Sequence, residues 1–153
     1  MATTMSSTAS CQSKATEKLE EEVKYFLDYC ATHPNSGLRF VANDMILVLH
    51  SDASYNSEPQ SKSRTAGHYY LSKINDENFN NGTVLTFSNI INHVMTSDSE
   101  AEVAALFYNF KAAIPLRISL EEMGHHQPKT LVTTDNTTSQ GITTKTMISN
   151  VQK

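Results

Sequence analysis

The sequence predicts an α/β fold in which a mixed sheet of three antiparallel strands and one parallel strand is flanked by helices. Three observations carry this. Met45 to Leu49 is apolar at both alternating sets of positions, the pattern of a strand covered on both faces. Two more strand-like segments, 65–72 and 83–95, follow across turn-rich or polar links, the order of a meander. Capping signals near Ser97 then open a helical stretch, with a short strand, Thr130 to Asp135, behind it.

Taken in order, residues 1–14 are rich in Ser, Thr and Ala with little apolar mass, and a flexible tail is expected. Residues 15–44 form a connector. Within it, Leu19, Val23, Phe26, Leu27 and Cys30 recur at helical spacing between Thr16 and Thr32, with Glu17, Glu20, Glu21 and Glu22 where the helix dipole favours them. The loop His33-Pro34-Asn35-Ser36-Gly37 ends that helix, and Leu38 to Ala42 is expected to be a short strand. From residue 45 onward a single domain is expected. Its first strand ends in His50, Ser51 and Asp52; Asn56 to Arg64 reads as a turn, and TAGHYYLS as the second strand. After a polar loop over 74–82, a third strand runs to Met95, bent near Asn89.

Two overlapping capping boxes, Ser97 with Glu100 and Ser99 with Glu102, open the next helix, and Val103, Leu106, Phe107 and Phe110 give it an apolar stripe. Pro115 breaks the pattern, so a separate helix is expected from about Leu116 to Met123, closed by Gly124. The segment after Asp135 is polar and contains no acidic residue.

A chain of 153 residues is long enough for one compact domain with a core of its own. With 12 Lys and Arg against 16 Asp and Glu, it lacks the basic balance of a simple polyanion binder. Enzymes that reach phosphates through bound cations remain open, because the ions supply the positive charge. Cys11 and Cys30 show no pairing pattern, no secretory signal is evident and no stretch approaches a membrane span, so an intracellular, cytoplasmic protein is expected.

Asp52 sits at the exit of a buried strand, where α/β folds build sites, although for this residue taken alone an Asx turn that merely ends the strand is the commoner explanation, and only partners elsewhere in the chain can overturn it. Asp135 also ends a strand, and an acidic residue lies in the first turns of the helix between them. Gathered at one sheet edge, three carboxylates offer the hard oxygen ligands that Mg²⁺ or Mn²⁺ prefers. Periodicity leaves open whether the helix contributes Glu100 or Glu102, since either can serve as a cap.

The blocks EEEVKYFLDYCATHPNSGLRF, MILVLHSDASYNSEPQSKSRTAGHYYLS, NIINHVMTSDSEAEVAALFYNFKAAIPLRISLEEMG and LVTTDNTTSQGI resemble the ribonuclease H region, with its preceding connector, of copia-type retrotransposon Gag-Pol polyproteins. The resemblance covers about Ala15 to Met147 and is carried by SDAS, AEVAAL and TDN in that order. It implies a ribonuclease H-like fold and two Mg²⁺ ions that cleave the RNA strand of an RNA/DNA hybrid during reverse transcription. It places the ligands on Asp52, Glu102 and Asp135, and selects Glu102 because it stands between Ala101 and Val103. Ser54, Asn136, Ser139 and, in the turn Lys62-Ser63-Arg64, Arg64 become candidate contacts to the hybrid backbone. Other segments of such a polyprotein are the further partners implied; a membrane is not.

One departure stands out. The family's fourth carboxylate follows the last of these blocks, whereas no Asp or Glu follows Asp135 here, so a C-terminally incomplete domain is expected. An alternative reading is therefore a catalytically inactive remnant acting as a structural or interaction module. Among the remaining residues, His50 shares a strand face with Asp52 but reads as an ordinary hydrogen-bonded histidine, and His125 and His126 as loop residues. Tyr69, Tyr70, Phe107, Tyr108 and Phe110 read as core or half-buried.

Overall fold

The computed structural model describes residues 2–74 and 81–135. The chain forms two units, Met1–Arg39 and Phe40–Lys153. In the first, Ala2–Ser10 is helix α1, where composition suggested a tail. Its hydroxyls bond back to the helix itself, Thr8 Oγ1 to the Thr4 carbonyl at 2.9 Å and Ser10 Oγ to the Ser7 carbonyl at 2.7 Å, so they are satisfied within the helix. Helix α2, Glu17–Thr32, is the expected amphipathic one, capped by Thr16, whose hydroxyl accepts from Leu19 N at 3.2 Å.

The second unit is an α/β arrangement around a four-stranded sheet, with strand order β3-β2-β1-β4. Strands β1 (Ile46–Glu58), β2 (Lys62–Ser72) and β3 (Thr83–Val94) are antiparallel neighbours, and β4 (Leu131–Thr133) lies parallel to β1. The hairpin is longer than expected. Most of the polar segment 56–64 is strand, and the reversal is confined to Pro59–Ser61, with Gln60 and Ser61 at positive φ. In β3 the register shifts between Ile90 and Val94, just beyond the expected bend.

Leu38 to Ala42 forms no strand. The Asn81 side chain takes the place of a ladder partner, accepting from Val41 N at 2.9 Å and donating to the Val41 and Leu71 carbonyls, each at 3.1 Å. Buried Gln127 does the same at the start of β1, accepting from Leu47 N at 3.0 Å and donating to the Met45 carbonyl at 2.8 Å. That clamp seats the segment leading into β4.

Helix α3 runs unbroken over Asp98–Glu122, with Pro115 inside it, in place of the two helices expected. Pro115 lies on the solvent side, where water can satisfy the carbonyl that loses its N–H partner. The buried face also differs from the expected stripe. It consists of Ala101, Glu102, Ala105, Leu106, Asn109, Ala113 and Leu120, while Phe107 is 64% exposed and Phe110 and Tyr108 are also open to solvent. Alanines let the helix approach the sheet closely, packing against Leu47, Leu49 and Tyr69 in the core.

Gly67 completes that approach, because a Cβ there would lie 2.0 Å from Asn109 Oδ1. Asn109 itself is fully buried. Its Nδ2 donates to Ser51 Oγ and the Ala66 carbonyl, each at 2.9 Å, and Tyr69 OH donates to its Oδ1 at 2.7 Å. By length and composition α3 is also the one described helix apolar enough to cross a membrane, against the expectation from sequence; its buried face, with Glu102 and Asn109, is taken by the sheet.

Gly67→Ala is expected to cost about 3 kcal/mol of stability in urea unfolding. Asn109→Ala should cost a similar ~3 kcal/mol, since it removes the side-chain donor to the buried Ser51 hydroxyl and the Ala66 carbonyl and leaves a cavity, while Tyr69 OH keeps only the Asn109 backbone carbonyl, 3.0 Å away.

Candidate metal centre

The site is built at a notch in the sheet. β4 pairs with β1 only from Val48 to His50, so among the described residues β1 has no neighbour on that side beyond His50. Thr133 is level with His50, and continuing that parallel register brings Asp135 level with Asp52. Glu102 enters from α3. It lies seven residues before Asn109 on the buried face, about two helical turns away. Because Asn109 is bonded to Ser51, the residue before Asp52, the same contact that docks α3 sets Glu102 against the middle of β1, which runs on past the expected strand end at Asp52 to Glu58.

One oxygen from each of Asp52, Glu102 and Asp135 lies within 4.8 Å of the others. Glu102 is buried, and Asp52 and Asp135 are exposed. This half-open set of hard oxygen donors can hold a metal ion. The electrostatics agree. Burial, then the charges of Asp135 and Asp52, push the Glu102 carboxyl up from 4.5 to about 7, against the opposing Ala53 N–H. Partial burial and the Asp135 charge also raise Asp52. Carboxylates that resist ionising together are what a bound cation relieves.

The structure decides between the two helix glutamates. Glu100 turns outward and accepts from Thr96 N at 2.6 Å and Thr96 Oγ1 at 2.7 Å, while its own N–H is capped by Ser97 Oγ at 3.2 Å. These bonds, the Thr96 hydroxyl first, hold its carboxyl below its ordinary value. The second box, Ser99 with Glu102, gives way to the burial of Glu102.

The candidate backbone contacts fare differently. Ser54 is exposed two residues beyond Asp52, on the same face of β1. Arg64 is a correction: it is only 3% exposed, with Nε donating to Glu58 at 2.6 Å and an Nη to the Ser88 carbonyl at 3.1 Å. Its charge is used inside the hairpin, and no face remains for a substrate. Asn136 and Ser139 lie outside the described residues. His50 pairs with Tyr70 OH at 3.0 Å, as expected of a hydrogen-bonded histidine. Sequence reasoning missed Thr134, whose hydroxyl lies 3.5 Å from Glu102 Oε2; its place beside Asp135 was the available signal.

No protein-family model matches the chain, and neither a curated protein nor a solved structure shows significant similarity to it.

The raised Glu102 carboxyl sets a pH dependence. Between 4.5 and about 7 the folded chain holds a proton that the unfolded chain has released, so without divalent cations stability should fall as pH rises through that window. Urea unfolding in EDTA at pH 5 and pH 7.5 should show a loss on the order of 1–3 kcal/mol relative to Glu102→Gln, which lacks the titration.

Proposed function

We propose that this chain is a ribonuclease H-type domain of copia-type retrotransposon lineage, a metal-dependent endonuclease acting on the RNA strand of RNA/DNA hybrids. The observation that carries the reading is the convergence of Asp52, Glu102 and Asp135 at the β1 notch. The supporting context is a three-strand meander, a helix docked on it and a parallel fourth strand, with the carboxylates on three of those elements.

Mg²⁺ or Mn²⁺ fits the all-oxygen donor set; held by Asp52, Glu102 and Asp135, such ions would supply activation of an attacking water and charge stabilisation for the departing oxygen, in a hydrolysis that leaves a 3′ hydroxyl and a 5′ phosphate. The residues divide the remaining work. Asp52 and Asp135, open to solvent, meet the scissile phosphate side, and Glu102 holds the inner position with Thr134 beside it. Asn109 and Ser51 keep the helix-borne ligand aligned with the strand-borne ones. Ser54, exposed two residues beyond Asp52, would contact the hybrid backbone.

A second reading, a catalytically inactive remnant used as a structural or interaction module, is favoured by the ligand count. Three carboxylates converge among the described residues, where the family's two-ion site uses four.

Two measurements separate the readings. In thermal unfolding, millimolar Mg²⁺ or Mn²⁺ should raise the melting temperature of the native chain and leave Asp52→Asn much less affected. With a labelled RNA/DNA hybrid, metal-dependent cutting of the RNA strand is expected, falling at least ~100-fold in Asp52→Asn. Metal binding without cutting would establish the second reading.

A further inference from the structure

A concave groove of about 450 Å³ lies between β3 and α3, lined by Phe87, Ile90, Tyr108 and Ala112 with Thr65, Asn89, Asn92 and Lys111. None of the three clustered carboxylates lines it. Its volume falls in the range of small-molecule sites. Two features point to a ligand. Thr65 is only 2% exposed and its hydroxyl is a buried polar atom with no hydrogen-bond partner, the one such side chain among the described residues. Among the described residues, Lys111, exposed at the same groove, has no ion-pair partner, and no acidic residue lines the cavity.

The chemistry selects the ligand class. Phe87, Ile90 and Ala112, with the Tyr108 ring, make an apolar wall for a flat hydrocarbon body. The Thr65 hydroxyl, the Asn89 and Asn92 amides and the Lys111 ammonium all can donate, which suits a negatively charged acceptor. We propose that this groove binds a small organic carboxylate with an aromatic body, independently of the carboxylate cluster at the β1 notch.

Phenylacetate is a suitable probe, titrated into the full ¹⁵N-labelled chain in EDTA, with benzylamine as the oppositely charged control of similar shape. Saturable shifts are expected at the amides of Thr65, Asn89, Asn92 and Lys111, with a dissociation constant on the order of 1 mM for so small a ligand. Lys111→Met, a change at an exposed position, should weaken binding about 10-fold. Thr65→Val should weaken it too, while raising the melting temperature of the ligand-free chain because an unsatisfied hydroxyl is removed. Absence of saturable shifts at these amides, benzylamine binding as tightly as phenylacetate, or unchanged binding by Lys111→Met would each overturn the proposal. The measurement involves neither metal nor nucleic acid, so its failure leaves the nuclease reading untouched, and failure of that reading leaves the groove intact.

Discussion

The buried amide of Asn109 is the contact on which the rest of the second unit depends. It joins three elements, bonding to Ser51 on β1, to the Ala66 carbonyl on β2 and, through its own oxygen, to the Tyr69 hydroxyl. A primary amide so placed has its donors and acceptor used at once, and displacing the helix would leave several polar groups unpaired in the core. The cost of sliding makes the docking single-valued, which an apolar helix face alone does not ensure. Gly67 is the counterpart of that contact: only a residue without a side chain leaves room for it.

From that docking the carboxylate site follows. Glu102 is held two turns from Asn109, β1 is held at Ser51, and the short pairing of β4 with β1 brings Asp135 into the same notch. Three acids are thus forced together by packing that serves other purposes, at an electrostatic cost visible in the raised Glu102 and Asp52 carboxyls. Such a cluster, with one acid buried and two open to solvent, can hold a metal ion.

Much of this was legible in the residues. The doubly apolar run before His50 marked an internal strand, capping chemistry at Ser97 marked the helix start, and Asp52 and Asp135 stood out as candidate ligands, although β1 runs on through Asp52 to Glu58 and β4 stops at Thr133. Other features were not. Helix α3 carries apolar residues around most of its circumference, so periodicity had no means of choosing its buried face, and the bulky side of Phe107 was preferred to the small side that docks. Arg64 reads as a basic turn residue in one dimension; cross-strand pairing with Glu58 and Ser88 makes it part of the hairpin interior. Pro115 suggested a break that a solvent-facing position tolerates.

The sequence by itself determined the type of the central elements, α2, β1, β2, β3 and the start of α3, and the set of acids available, because side-chain period and capping are local properties of consecutive residues. Tertiary structure decided which glutamate turns inward, which face of α3 is buried and how far β4 extends along β1. Those choices depend on close approach at Ala101, Ala105 and Gly67 and on the polar groups that Asn109 must satisfy. The partners are distant in sequence, Asn109 from Ser51 and Gln127 from Leu47, and local pattern does not report such pairings.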